Sequence, residues 1–297
     1  MFKIGRLFHL THVVSDLRKV DQWYDEVFGV TRYYHGYAPA AGRDASLIAI
    51  GNLIMEPMAP ARVAKLRNPS VKKFHERFGQ HFHSIAWYVD DVGAISTHLG
   101  AHGLRLFDIN GTLVTPPNEK FAVWTHPRET HGQLEFAAVG SKHHRPVAAA
   151  RLVERLLARA PSARNRVRVA HHCGGGDVAA ARRLYCEVLG GRLLHERETP
   201  ARKRSAFVAV GEDTVVELAQ PLGSDGREAL DLERNGEGIH ALTLRVRDLR
   251  KVDNFLRSRG LRPESDAFDS IVLGPDQAFG MVIGFTERAV PNDPRAE

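Results

Sequence analysis

The sequence predicts an α+β fold of four β-α-β-β-β units, arranged as two halves of two units each. Two observations carry this. The hexapeptide Asp16-Leu17-Arg18-Lys19-Val20-Asp21 returns letter for letter as Asp248-Leu249-Arg250-Lys251-Val252-Asp253, and Tyr24-Asp25-Glu26-Val27-Phe28-Gly29 returns as Tyr185-Cys186-Glu187-Val188-Leu189-Gly190. Landmarks also recur at fixed offsets. Asp177, Tyr185, Gly190 and Glu217 follow Asp16, Tyr24, Gly29 and Glu56 by 161 residues, and His240, Asp248 and Gly260 follow His83, Asp91 and Gly103 by 157. Internal repetition of this kind marks one supersecondary unit used several times.

The first unit opens on a strand over 6–14, which is apolar and β-branched. Ser15 or Asp16 can cap the next helix, because a side-chain oxygen there accepts from an unpaired first-turn amide. Val20, Trp23, Tyr24, Val27 and Phe28 recur at helical spacing, and Gly29 supplies the stop. Strands over 30–37, 45–51 and 52–58 complete the unit. The second unit runs from His81 to Val139, with a strand over 82–89, a turn at Asp90-Asp91, a helix over 92–102 and a stop at Gly103. Later strands are expected near 105–109, 112–115, 121–125 and 132–138, with a loop at Pro116-Pro117-Asn118. Residues 140–165 are rich in Ala, Arg and Leu between Pro146 and Pro161, which predicts a linker helix. The third and fourth units span 167–222 and 237–288. The expected domains are therefore 1–139 and 166–297, joined by 140–165.

Composition bounds the function. At 43% hydrophobic and 26% charged, the 297-residue chain is an ordinary globular sequence. No apolar run reaches transmembrane length, and the N-terminus lacks a signal-like apolar segment, so a cytoplasmic protein without membrane partners is expected. Two cysteines, Cys173 and Cys186, make no disulfide framework. The charge of +6 comes from scattered Lys and Arg with no aromatic-and-basic stripe, which argues against nucleic acid and suits a small anionic substrate. No Gly-x-Ser-x-Gly elbow, phosphate loop or dinucleotide fingerprint is present.

Four such units, a strand-borne His, helices ending in Tyr-x-x-Val-Leu-Gly-like segments and a Glu in the last strand of the units resemble the vicinal oxygen chelate superfamily. That superfamily includes glyoxalases, methylmalonyl-CoA epimerases, extradiol dioxygenases and bleomycin-resistance proteins. The resemblance implies paired units forming glyoxalase-like half-barrels around a cleft, with metal ligands from the first and last strand of each unit. His126-Pro127-Arg128 with Gly132, and the stretch Asn68–Phe74, look like the epimerase members.

The resemblance implies a ligand seven residues before the turn Asp, which selects His9, and a last-strand ligand at Glu56. A charged residue inside an apolar strand is costly unless paired or bound to metal. His12, three residues on, is expected on the opposite face, packing under the helix. In the second unit the last-strand slot is Glu135. The first-strand slot falls on Ser84, beside His83. Either a bulge turns His83 inward as a fourth ligand, or three protein ligands hold the ion. The implied cofactor is one divalent ion: Ni, Co, Mn, Zn or Fe(II). In the second half Ala170, Ala241 and Gly284 fall in the slots of His9, Ser84 and Glu135, leaving Glu217 alone, so that site reads as degenerate. His171, His172 and Cys173 precede Gly174-Gly175-Gly176 and suggest a second site only weakly.

The leading expectation is a metal-dependent isomerase, epimerase or glyoxalase-type lyase, in which the ion polarises a carbonyl and a carboxylate, Glu135 first or else Glu56, moves the α proton. An extradiol-type dioxygenase using His9, His83 and Glu135 around Fe(II) is the second reading. A non-catalytic small-molecule binding or resistance protein is the third. One chain already supplies the paired units, so a homodimer is open but not required.

Overall fold

The computed structural model describes residues 1–38, 42–50, 53–63, 66–115, 121–139, 178–199, 203–266 and 269–295, and the backbone of 167–172. The first half runs β1 (Ile4–Val13), α1 (Leu17–Phe28), β2 (Thr31–Ala38), β3 (Arg43–Ile50), β4 (Leu53–Pro60), α2 (Ser70–Phe78), β5 (His81–Val89), α3 (Val92–Ala101), β6 (Leu106–Phe107), β7 (Ala122–Thr125) and β8 (Gln133–Ala138). The second runs β9 (Val167–His172), α4 (Val178–Arg183) continuing into a π turn (Leu184–Val188), β10 (Arg192–Thr199), β11 (Lys203–Val210), β12 (Thr214–Pro221), α5 (Arg227–Asn235), β13 (Gly238–Arg245), α6 (Leu249–Ser258), β14 (Glu264–Asp266), β15 (Ser270–Leu273) and β16 (Val282–Thr286). The expected linker helix and the loop at Pro116–Asn118 lie outside the described residues. The strand expected at 112–115 is reduced to one bridge, Phe107 to Leu113. Helices α2 and α5 were not expected.

Each half is an open eight-stranded sheet, ordered β2-β3-β4-β1-β5-β8-β7-β6 and β10-β11-β12-β9-β13-β16-β15-β14. The two orders are the same pattern, as the repeat requires. The repeated Asp is a repeated helix cap. Asp16 accepts from the Arg18 and Lys19 amides, Asp91 from Ala94 and Asp248 from Lys251. Each satisfies a first-turn donor that has no intrahelical partner. The repeated Gly closes the same helix: Gly29 sits at φ 57°, left-handed backbone that favours glycine.

Helix α1 lays Val20, Tyr24 and Val27 on the sheet face that carries Leu10 and Met55, and one continuous core takes in both halves. Polar contacts also cross the seam. Trp87 Nε1 donates to Thr214 Oγ1 at 3.2 Å, and the Leu7 amide to Asp213 at 2.8 Å. His12, His81, His98 and His131 of the first half each reach an acceptor of the second: the Phe279 carbonyl (2.8 Å), Asp231 (3.2 Å), the Val188 carbonyl (2.9 Å) and Glu237 (3.0 Å). His12 also lies 3.2 Å from the Tyr24 hydroxyl, under α1 as expected.

Candidate metal centre

The centre is built on the sheet face opposite α1. Strand alternation alone would put only one of Phe8 and His9 there. The β1–β5 ladder pairs Leu7 with Trp87 and His9 with Ala86, so Phe8 is an extra residue, a bulge that turns both rings to one side. Their centroids are 4.2 Å apart, and Phe8 stacks on Tyr88 at 4.5 Å.

The register then forms one row across the sheet: His9 beside Ala86, Ala86 beside Glu135, Glu135 beside Trp124. His9 and Glu135 are two strands apart, about 10 Å between backbones. The methyl of Ala86 leaves room for their side chains to meet above it. On the other flank Glu56, level with Thr11, enters from β4. His9 Nε2 lies 3.2 Å from Glu135 Oε2 and 3.3 Å from Glu56 Oε2. All three residues are buried, at 3–5% exposure.

Two further side chains hold the carboxylates. Arg43 directs Nη2 (2.7 Å) and Nε (3.3 Å) to Glu56 Oε1, the oxygen turned away from His9. Trp124 Nε1 donates to Glu135 Oε2 at 2.9 Å. Burial pushes the His9 imidazole down, but the Glu135 and Glu56 carboxylates outweigh it and hold it above its ordinary value. Burial likewise opposes the Arg43 charge, and Glu56 restores it. The Tyr33 and Tyr88 hydroxyls, pushed up by burial, stay protonated across the physiological range.

His83 stands at a second bulge. Leu10 pairs with Ile85 and His12 with Phe82, so His83 and Ser84 together oppose Thr11. Ser84 Oγ donates to Thr11 Oγ1 at 2.9 Å, and His83 Nδ1 lies 3.2 Å from Ser84 Oγ. The His83 ring packs edge-on against Phe74 of α2 at 4.7 Å. Burial and the Arg43 charge push it down to about 4, so it is neutral at physiological pH. The expected bulge is present, and His83 is engaged by Ser84 and Phe74. The carboxylates meet at His9.

Do these residues suit a divalent ion? Among the described residues, no three His, Cys, Asp or Glu side chains form a ready-made coordination cage. The distances to His9 nonetheless match the need. Donors about 2.1 Å from an ion and at right angles lie about 3 Å apart. His9 Nε2 is near both carboxylates, yet neither contact has hydrogen-bond direction, and Nδ1 and Nε2 are both buried without a hydrogen-bond partner. A buried nitrogen between two carboxylates, aligned with neither, fits a cation held among the three.

The second half is different. Counting back from Asp177 puts Ala170 in the slot of His9, but the ladders correct this. Glu217 pairs with Ala170 as Glu56 pairs with Thr11, and Thr243 pairs with Arg168 as Ala86 pairs with His9. Arg168, not Ala170, is the counterpart of His9. Two extra residues lie between β9 and Asp177. Ala241 and Gly284 keep the slots of Ser84 and Glu135. Glu217 is held by Ser205 Oγ (2.8 Å) and Lys203 Nζ (3.1 Å), and Lys203 also reaches Glu228 (3.2 Å). By register Lys203 is the counterpart of Arg43, opposite Pro221 as Arg43 is opposite Pro60. His240, the counterpart of His83, pairs with Asp231 at 2.9 Å. The side chains of His171, His172 and Cys173 lie outside the described residues.

Family models match most of the chain. Residues 7–180 match the Glyoxalase-like domain, and 169–275 match the Glyoxalase/Bleomycin resistance protein/Dioxygenase superfamily. No curated protein matches the sequence. Among solved structures, a triple mutant of 4-hydroxymandelate synthase from Streptomyces coelicolor aligns over 99% of this chain and 97% of its own, at 12% identity and TM-score 0.69. That likeness is one of fold. Methylmalonyl-CoA epimerase from Mycobacterium tuberculosis aligns over 41% of this chain and 86% of its own, at 30% identity and TM-score 0.37.

Proposed function

This chain belongs to the glyoxalase/bleomycin resistance/dioxygenase superfamily, and from that premise we propose that it is a divalent-metal-dependent isomerase, epimerase or glyoxalase-type lyase acting on a small carbonyl substrate. One observation carries the reading: His9 Nε2 lies within 3.3 Å of a carboxylate oxygen from each of Glu56 and Glu135. His9, Glu56 and Glu135 would hold the ion. A bound divalent ion supplies Lewis acidity, polarising a carbonyl and acidifying its α hydrogen.

The protein's own groups do the rest. Glu56, tied to Arg43, is the fixed member of the pair. The neutral Trp124 N–H donates to Glu135, and Glu135 is the carboxylate that takes and returns the α proton. The Phe8–Tyr88 stack walls the centre beside His9 and limits water there.

Elemental analysis tests the first step. About one divalent ion per chain is expected in the purified protein, lost in folded His9→Ala and Glu56→Ala variants. The second test is deuterium exchange at the α carbon of small 2-oxo and acyl-thioester substrates. Glu135→Gln should slow exchange by about 10²- to 10⁴-fold while metal content is retained at least in part. Iron with oxygen uptake on catechols would support the dioxygenase reading instead. A chain that takes up no divalent ion after supplementation would point to a non-catalytic binding protein.

A further inference from the structure

We infer that Arg43 and Trp124 are positioning residues of the centre: each fixes one glutamate, and they fix the two differently. This deepens the metal-centre reading and rests on it. Arg43 places two guanidinium nitrogens on Glu56 Oε1, leaving Oε2 as the oxygen facing His9. With Oε1 committed, Glu56 can enter a coordination shell through one oxygen only. Trp124 instead donates to Glu135 Oε2, the same oxygen that faces His9. An ion held there would share that oxygen with the indole, so Glu135 would be the more weakly held ligand and the one able to let go.

The second half shows what the arrangement becomes without the His slot. The counterpart of Arg43, Lys203, still binds the counterpart of Glu56, but there the carboxylate also takes the Ser205 hydroxyl. Position 45 in the first half, the counterpart of Ser205, is Ala45, which offers no hydroxyl to Glu56. A basic residue on the last-strand Glu is thus common to both halves, and an imidazole facing the inner oxygen belongs to the first.

Ligating carboxylates depend on such outer hydrogen bonds, and losing one typically weakens metal affinity about 10- to 100-fold. The experiment is Co(II) titration of full-length, metal-stripped protein by calorimetry, with the visible Co(II) spectrum recorded alongside. Arg43→Met should weaken Co(II) binding about 10- to 100-fold, with Arg43→Lys recovering part of the loss, since lysine keeps the charge without the guanidinium fork. Trp124→Phe, which removes one N–H and little volume, should shift the Co(II) spectrum and change affinity less than Arg43→Met. Folded variants with wild-type affinity and spectrum would overturn the inference, as would Trp124→Phe losing more affinity than Arg43→Met. A merely structural role would lower the melting temperature and leave both readouts alone. Wild-type protein that binds no Co(II) would instead overturn the metal-centre reading itself.

Discussion

At the scale of single residues, Glu56 and Arg43 are coupled in the apo protein. Their side chains are 7% and 19% exposed, so either charge left alone is poorly solvated. Removing one member of such a pair costs more than removing both, because the remaining charge stays buried. Glu56→Gln should therefore lower the unfolding free energy of metal-free protein by on the order of 2–3 kcal/mol. Glu56→Gln combined with Arg43→Met should recover part of that in chemical denaturation. His9, Glu56 and Glu135 are the residues that the resemblance to the superfamily singles out in the sequence, and the strand register brings them together. Arg43 was not legible there. It pairs with Pro60, four residues beyond Glu56 along β4, and only its long side chain brings the charge back. Trp124 was not legible either: its role needs the β7–β8 register that sets it opposite Glu135.

At the scale of elements, the centre depends on Ala86. This fully buried methyl separates His9 from Glu135 in the row across β1, β5 and β8. A larger side chain would stand between them. Ala86→Leu should abolish stoichiometric metal uptake while costing about 1–3 kcal/mol of stability, the usual range for overpacking. Metal analysis and thermal melts of the same sample separate the two effects. The caps are a simpler case. Asp16→Ala removes the acceptor for two first-turn amides of α1 and should cost about 1 kcal/mol in thermal denaturation. These helices were legible because a cap, an apolar stripe and a glycine stop agree. Helices α2 and α5 offer no such agreement: neither N-cap makes a side-chain hydrogen bond, Val71 is the one buried residue of α2, and α5 buries none. The slot of His9 in the second half falls on Arg168 and not on Ala170 for a related reason. The offset of 161 holds from Asp177 onward, but strand pairing fixes β9, and pairing cannot be counted from a turn across an insertion.

At the scale of the whole molecule, the two halves meet along a seam that titrates. His81 faces an acceptor at each ring nitrogen, the Phe82 carbonyl at 3.1 Å and Asp231 at 3.2 Å, which suits the doubly protonated ring. Burial opposes that charge and Asp231 outweighs it, so His81 is raised above its ordinary value. Its contribution is present below the ordinary histidine value and is lost as pH rises through the raised one. His12 works the other way. It is fully buried, its neutral ring donates to the Phe279 carbonyl, and burial pushes it down to about 4. In the unfolded chain the ring takes its proton near its ordinary value of about 6.5, while the folded ring resists. The unfolded state therefore binds more protons between about 6.5 and about 4, and stability falls as pH falls through that window, by up to roughly 3 kcal/mol from this residue. The melting temperature should pass through a maximum near the ordinary histidine value and decline on both sides. His12→Gln can keep a donor toward Phe279 and has no proton to gain. It should make the acid limb between pH 6.5 and 4 shallower, leaving the share of His83, which burial also pushes down to about 4, and should leave the alkaline limb unchanged in thermal melts across pH. An acid limb as steep as the wild type would show that His12 is not what ties the seam to pH.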